Sequence, residues 1–347
     1  MLDRRTRFLR QVVRIAGLIL LRLLTRTTIT GRENLDVQGP AIYAANHAST
    51  FDALLLLVLV PLDTIFIGPG DFRLLWPANW AIRFMGVILM KRGSVDREGL
   101  RRMLDVLEAG GRLAMFPEGG MWEKPIDDVK SGAMYLSQAT GAQIVPMGFG
   151  GTYRVWMQIL RLGFPRVTVR IGAPLPPVHV SGDRKRRQDD LQAAAVELMR
   201  RIYDLLPPDT QAHYDRLARQ QFSGELRFRP DSLQPPDVPL NALAELVVKP
   251  NLFSPLRLNA RLPVRPFARY GRYVPPRRMK IAADALQRAF AEGDFSGYLE
   301  YRLGEAKAAE IRAALAAISA AMDEADARGA KVAFVPTVTE RDEKSHA

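Results

Sequence analysis

Ala41-Ile42-Tyr43-Ala44-Ala45-Asn46-His47-Ala48-Ser49-Thr50-Phe51-Asp52 reads as an apolar strand that runs into a polar turn and then a helix. Ala48-Ser49-Thr50 offers helix caps, and Asp52 opens a helix whose apolar run, Leu54 to Val60, must be buried up to Pro61. His47 therefore belongs to a strand-to-helix turn. Further on, Arg112-Leu113-Ala114-Met115-Phe116 is a second apolar strand, closed by Pro117-Glu118-Gly119. If both strands lie in one sheet, a base, a carboxylate and a glycine turn converge at one sheet edge. Open α/β sheets place their ligands there.

The same alternation continues along the chain. A short strand at 64–67, a helix around 72–84 and a strand from Gly86 to Met90 running into Lys91-Arg92 come between the two motifs. A helix from Asp96 to Ala109 then stops at Gly110-Gly111, as helices commonly do. Lys130-Ser131-Gly132-Ala133 opens another helix, 143–147 and 167–171 are strands, and a polar helix over 187–206 stops at Pro207-Pro208. Strands alternating with helices of this length predict an α/β fold, a mostly parallel central sheet flanked by helices. The expected division is an N-terminal amphipathic helical arm at 1–30, a catalytic domain at 31–208 and a C-terminal extension at 209–347. That extension is studded with prolines as far as 278, then helical over 279–292 and 298–328, and ends in a loose tail.

Composition narrows the chemistry. The chain has 347 residues, 48% of them apolar and 25% charged, which suits a packed globular protein. It has no cysteine, which excludes disulfides, thiolate ligands and a thiol nucleophile, and its four histidines are scattered, which argues against a histidine-rich metal site. The net charge of +12 is segregated. Met1 to Arg32 contributes about +7, and Lys249 to Lys280 contributes about +9 with no acidic residue, so the remainder is about −4. Two cationic surfaces on a slightly acidic body predict an anionic partner.

In the arm, Arg14 and Arg22 cut the apolar run from Val12 to Leu24 well short of the ~20 residues a membrane span requires. Apolar side chains at helical spacing between arginines describe a helix lying in a membrane interface, or alternatively one packed on its own core. In the second basic block, Leu252, Phe253, Leu256, Leu258, Leu262, Val264, Phe267, Tyr270 and Tyr273 interleave with the cations. The expectation is contact with an anionic membrane surface through 4–32 and 249–280, with a solvated or intramolecular surface as the alternative for the second block, and no nucleic-acid partner.

A carboxylate in the first turn of the helix after His47 is placed to fold back onto one imidazole nitrogen, leaving the other as a general base near neutral pH. The pair equally suits a capping aspartate beside a structural histidine. The wider pattern is similar to the glycerophosphate and lysophospholipid acyltransferase family over about Arg14 to Pro208. The resemblance rests on Gly31-Arg32-Glu33-Asn34-Leu35, Asn46 to Asp52, Gly86 to Arg92, Phe116-Pro117-Glu118-Gly119, Lys130 to Ala133 and Ile144-Val145-Pro146, in that order.

The resemblance implies transfer of a fatty acyl group from acyl-CoA or acyl-ACP, a co-substrate rather than a cofactor, to the hydroxyl of a lysophospholipid such as 1-acylglycerol-3-phosphate. His47 would be the base and Asp52 its orienting carboxylate. Arg92 and the Glu118-Gly119 turn would hold the acceptor, with Glu118 positioning Arg92, the loop or acceptor hydroxyls. Lys130 or turn amides would offset charge on the thioester oxygen, and Pro146 would shape the acyl or donor channel. No metal is called for. The expected location is the cytoplasmic face of the cell membrane, as a peripheral protein. One departure stands out: Gly120-Met121-Trp122 replaces the hydroxyl, arginine and serine that commonly follow the third block. It opens a second reading, the same chemistry on a lyso-aminolipid or glycolipid. A catalytically silent lipid- or nucleic-acid-binding protein is the reading from another class.

Overall fold

The computed structural model describes residues 4–70, 85–91, 93, 96–121, 125–230, 233–292 and 295–341. The helix expected at 72–84 lies outside the described residues, as do Arg92, Trp122 and Lys124. Two compact units are present, divided in the main between Ala218 and Arg219.

In the first unit, strands β1 (Arg26–Thr30), β2 (Ala41–Ala45), β3 (Ile65–Pro69), β4 (Ile88–Met90), β5 (Arg112–Met115), β6 (Gln143–Gly150) and β7 (Arg166–Ile171) form one sheet in the order β1-β7-β6-β2-β5-β3-β4. β2 runs parallel to both neighbours, β5 and β6, and β3 runs parallel to β5. β7 is antiparallel to β6 and carries β1 parallel to itself. Among the described residues, the α-helices of this unit are α1 (Arg4–Leu24), α2 (Thr50–Leu59), α3 (Arg97–Glu108), α4 (Gly132–Thr140), α5 (Val155–Leu160), α6 (Arg184–Asp204) and α7 (Pro208–Arg219).

Because successive strand residues face opposite ways, β2 feeds two cores. Tyr43 and Ala45 join Leu21 of α1 and Phe51, Leu55 and Leu59 of α2 on one face. Ile42 and Ala44 join Met103 of α3, Met134 of α4 and Leu198 of α6 on the other. The mostly parallel, covered sheet is the one the alternation predicts. β1 was not foreseen: Arg26–Thr30 had been placed in the arm, yet they pair with β7 at the sheet edge.

α1 packs on its own core with one face and leaves apolar side chains exposed on another. Its Gly17 lies so close to α2 that a Cβ there would sit 2.5 Å from Val58, so this face packs on the core. Phe8, Val12, Ile15, Ile19 and Leu23, three or four residues apart, stay exposed on the other. Arg10, counted above with the cationic surface, is instead buried. Its guanidinium donates to the carbonyls of Leu62, Thr64 and Met85, at 3.0 Å for Leu62 and for the Nε contact to Met85, and lies over the Phe66 ring at 5.2 Å. Burial lowers its pKa to about 10, opposed by Asp63, a value that leaves it charged at neutral pH. The gain lies in three carbonyls that would otherwise be buried without donors.

The second unit pairs β8 (Gln220–Arg229) with β9 (Lys331–Glu340) in an antiparallel ladder. It also contains α8 (Asn241–Val248), α9 (Pro276–Ala291), α10 (Tyr298–Leu303) and α11 (Glu305–Ala327). Of the last dozen residues, expected to form a loose tail, 336–340 belong to β9 and 342–347 lie outside the described residues. The block at 249–280 also departs from expectation. Leu252, Phe253, Leu256, Val264 and Phe267 are buried, so they make core rather than membrane interface. Lys249 is buried as well, with Nζ 2.8 Å from Glu245, while Arg277 pairs with Asp326 and Lys280 with Asp323. What that block presents outward is mostly arginine, at 257, 261, 265, 269, 272 and 278.

Replacing Arg10 tests the carbonyl-capping role. Arg10→Ala should cost about 1–3 kcal/mol of unfolding free energy, seen as a lower urea midpoint. An unchanged midpoint would show that the three carbonyls need no protein donor.

Candidate active site

The site grows from the end of β2. Asn46 is fully buried and continues the pairing with β6 through its side chain: Nδ2 donates to the Phe149 carbonyl at 3.0 Å, and Oδ1 accepts the Phe149 N–H at 2.7 Å. The chain then turns, and Ser49 caps α2 with Oγ accepting the Phe51 N–H at 3.2 Å. Asp52 completes the box. Its Oδ2 accepts the N–H groups of Ala48 and Ser49, both at 2.7 Å, and stands 3.3 Å from His47 Nδ1. A carboxylate here is favoured by the helix dipole as well as by the two amides.

The imidazole is thus gripped on one nitrogen and on one face. Its ring stacks on Phe116, with centroids 3.8 Å apart and planes 8° from parallel. An Nδ1–H donated to Asp52 leaves the lone pair on Nε2 to take a proton. Such a histidine, oriented by a carboxylate, can serve as a general base.

β5 supplies the second grip. After Met115, Phe116-Pro117-Glu118-Gly119 makes a turn in which the Gly119 N–H donates to the Phe116 carbonyl at 2.9 Å. Proline suits the second position of such a turn, and Gly119, at φ 74°, occupies the left-handed region that glycine enters without strain. The turn delivers Glu118 inward: it is 4% exposed, and its Oε1 accepts the backbone N–H of His47 at 2.7 Å. The same oxygen accepts the hydroxyl of Tyr214 at 3.2 Å, and that hydroxyl lies 3.4 Å from Asn46 Nδ2. Burial, and after it the Glu118 carboxylate, push the Tyr214 phenol well above its ordinary pKa, so it remains a donor.

Tyr214 went unforeseen. It lies on α7, beyond the expected boundary at 208, and reaches the site because the α6–α7 link presses onto β6. A Cβ at Gly150 would meet the Pro207 ring at 2.3 Å, and one at Gly148 would meet Leu205 at 2.6 Å. The one trace of this in the sequence is the glycine-rich run Gly148-Phe149-Gly150-Gly151.

The expected site residues divide accordingly. His47, Asp52, Glu118 and Gly119 are brought together. Glu118 faces the His47 loop and Tyr214, which matches a part in positioning that loop. Lys130 is half-buried, and its backbone N–H ties the start of α4 to the Pro117 carbonyl at 3.1 Å. Pro146 is buried within β6 opposite Ala44, on the sheet face away from Tyr43 and Ala45, and its ring lies against Gly172. That is a packing position set back from the strand end. Arg92 lies outside the described residues.

Residues 26–150 match the family model described as Acyltransferase. Over 136 residues the chain is 32% identical to the chloroplastic 1-acyl-sn-glycerol-3-phosphate acyltransferase of Arabidopsis thaliana, covering 38% of this chain and 37% of that one. It is 37% identical over 82 residues to the lyso-ornithine lipid O-acyltransferase of Pseudomonas aeruginosa, 23% of this chain and 31% of that one. It is 27% identical to the 1-acyl-sn-glycerol-3-phosphate acyltransferase of Haemophilus influenzae, over 48% of this chain and 69% of that one. The chain thus spans about a third of the length of the first two relatives. The stretch that matches the Acyltransferase family model holds His47, Asp52 and the Phe116-Pro117-Glu118-Gly119 turn.

Proposed function

We propose that the protein transfers a fatty acyl group from an acyl thioester, carried by coenzyme A or acyl carrier protein, to the hydroxyl of a lysophospholipid. The observation that carries this is the His47 imidazole, held at Nδ1 by a buried carboxylate and on its face by Phe116. His47 Nε2 takes the acceptor hydroxyl's proton as its oxygen attacks the thioester carbonyl. The tetrahedral adduct collapses, the C–S bond breaks, and the imidazolium returns the proton to the departing thiolate. Asp52 stabilises the imidazolium between those steps. Arg92 pairs with the acceptor phosphate, which guanidinium suits geometrically. Lys130 and turn amides beyond Gly119 offset charge on the thioester oxygen; Gly119's own N–H is already given to Phe116. The reaction as written requires no cofactor.

A peripheral location on the cytoplasmic face of a membrane fits this reading, because the acceptor is a lipid and α1 displays an apolar outer face. Among the described residues no helix is long and apolar enough to cross a membrane. A second acceptor class, a lyso-aminolipid, is favoured by two observations: the departure at Gly120-Met121-Trp122, and the likeness to a protein named for lyso-ornithine lipid.

Three measurements test these roles. An assay with a panel of lyso-lipids and both thioester donors should give acyl transfer that His47→Ala lowers about 10²–10⁴-fold; acylation unaltered by that substitution would remove His47 as the base. Asp52→Asn, which retains one oxygen for the capping amides, should reduce kcat more than it reduces thermal stability. Tyr214→Phe removes one hydrogen bond to Glu118 and should lower kcat about fivefold with KM unchanged. A raised KM for the acceptor at intact kcat would place Glu118 on the acceptor instead.

A further inference from the structure

The connection between β6 and β7 is built inside out. Val155 of α5 is buried and Ile159 packs against the core, while the apolar side chains on the rest of that short helix are left substantially exposed. Trp156 is 44% exposed, Met157 50% and Leu160 78%; beyond the helix Leu162 is 76% exposed and Phe164 48%. The backbone that displays them is itself unfavourable. Arg154, Leu162 and Phe164 all have φ between 43° and 56°, a region that side chains with a Cβ seldom occupy. A fold that holds large apolar groups in water on a strained segment is shaped for something that covers them.

Charge identifies the cover. Between Asp128 and Asp183 there is no acidic residue, and Arg154, Arg161 and Arg166 stand exposed around the apolar tip. Hydrocarbon side chains interspersed with guanidinium groups, on a segment that carries no carboxylate, match a layer in which anionic groups overlie hydrocarbon. The surface is continuous with α1. Arg26 donates its N–H to the Pro165 carbonyl at 2.9 Å and pairs with Arg166 across β1 and β7. The C-terminal end of α1, with Ile19, Leu20 and Leu23 exposed, therefore stops beside the 162–165 stretch. At its other side the segment leans on the site: Trp156 Nε1–H donates to Thr50 Oγ1 at 2.8 Å, and its ring meets Phe51 edge-on at 5.2 Å. Thr50 and Phe51 are the residues between the Ser49 cap and Asp52.

We propose that Trp156–Phe164 is a membrane-inserting tip, entering an anionic phospholipid leaflet next to the outer face of α1. It sets the His47 edge of the sheet against that leaflet, so that a lipid acceptor meets the base while its acyl chain remains in the bilayer. The surface stands on its own geometry; its purpose rests on the acyl-transfer reading above.

The absence of cysteine makes a single-site probe available. Leu160→Cys, labelled with an environment-sensitive fluorophore, should shift to the blue on vesicles containing phosphatidylglycerol and be quenched by a lipid-borne quencher, less so as salt is raised. The full-length Leu160→Glu/Leu162→Glu variant should keep its melting temperature and its transfer to a water-soluble acceptor. It should partition onto the same vesicles about a hundredfold more weakly and lose transfer to an acceptor embedded in them. A label that stays in water while the protein binds vesicles, or a double variant that binds as tightly as its parent, overturns the proposal. So does a blue shift in lipid-free buffer that tracks a concentration-dependent dimer in sedimentation, which would assign the face to a second copy of the chain. Vesicle insertion by a protein that proves to have no acyl-transfer activity would remove the acyl-transfer reading and leave this surface standing.

Discussion

A single oxygen, Oδ2 of Asp52, gathers the N–H groups of Ala48 and Ser49 and faces Nδ1 of His47. The first two contacts start α2, and the third orients the imidazole, so helix initiation and the placing of His47 are one event. Fully buried, the carboxylate has little water to turn to, and losing any one of these partners would leave a charge poorly solvated. The turn, the helix start and the histidine are thereby bound to a common geometry. This is how a residue in a loop acquires the rigidity of a residue in a sheet.

The flanking strands complete that constraint from either side. β6 holds Asn46 by two hydrogen bonds to Phe149, and β5 holds the next peptide through Glu118. The parallel pairing of β2 with both strands brings all three strand ends to one edge. Glu118 works there as a buried acceptor for backbone and phenol. A carboxylate pointing at a phosphate would be repelled by it; one turned inward onto an amide is not.

Much of this was legible in the chain, because its signals are local. The apolar run before His47, the Ser49 and Asp52 positions and the proline-glycine turn each carry their meaning within a few residues. What escaped depends on distant partners. Arg10 falls within an amphipathic arginine pattern, and nothing nearby announces that carbonyls at 62, 64 and 85 await it. Tyr214 meets Asn46 across 168 residues. β8 and β9 pair from opposite ends of the second unit, so neither has a hairpin turn to reveal the other. Leu252, Phe253, Leu256, Val264 and Phe267 looked interfacial because cations separate them, although they are buried within their own unit.

The junction at Tyr214 bears on how the protein is made. Emerging from the ribosome, the chain has both strand ends, His47 and Asp52 well before α7 exists, yet Glu118 lacks its phenol until the link at Pro207 has settled on Gly150. Assembly of the site is thus a late step of synthesis. A nascent chain carries its histidine loop still short of one fastener, and the finished geometry arrives only when the whole first unit has closed.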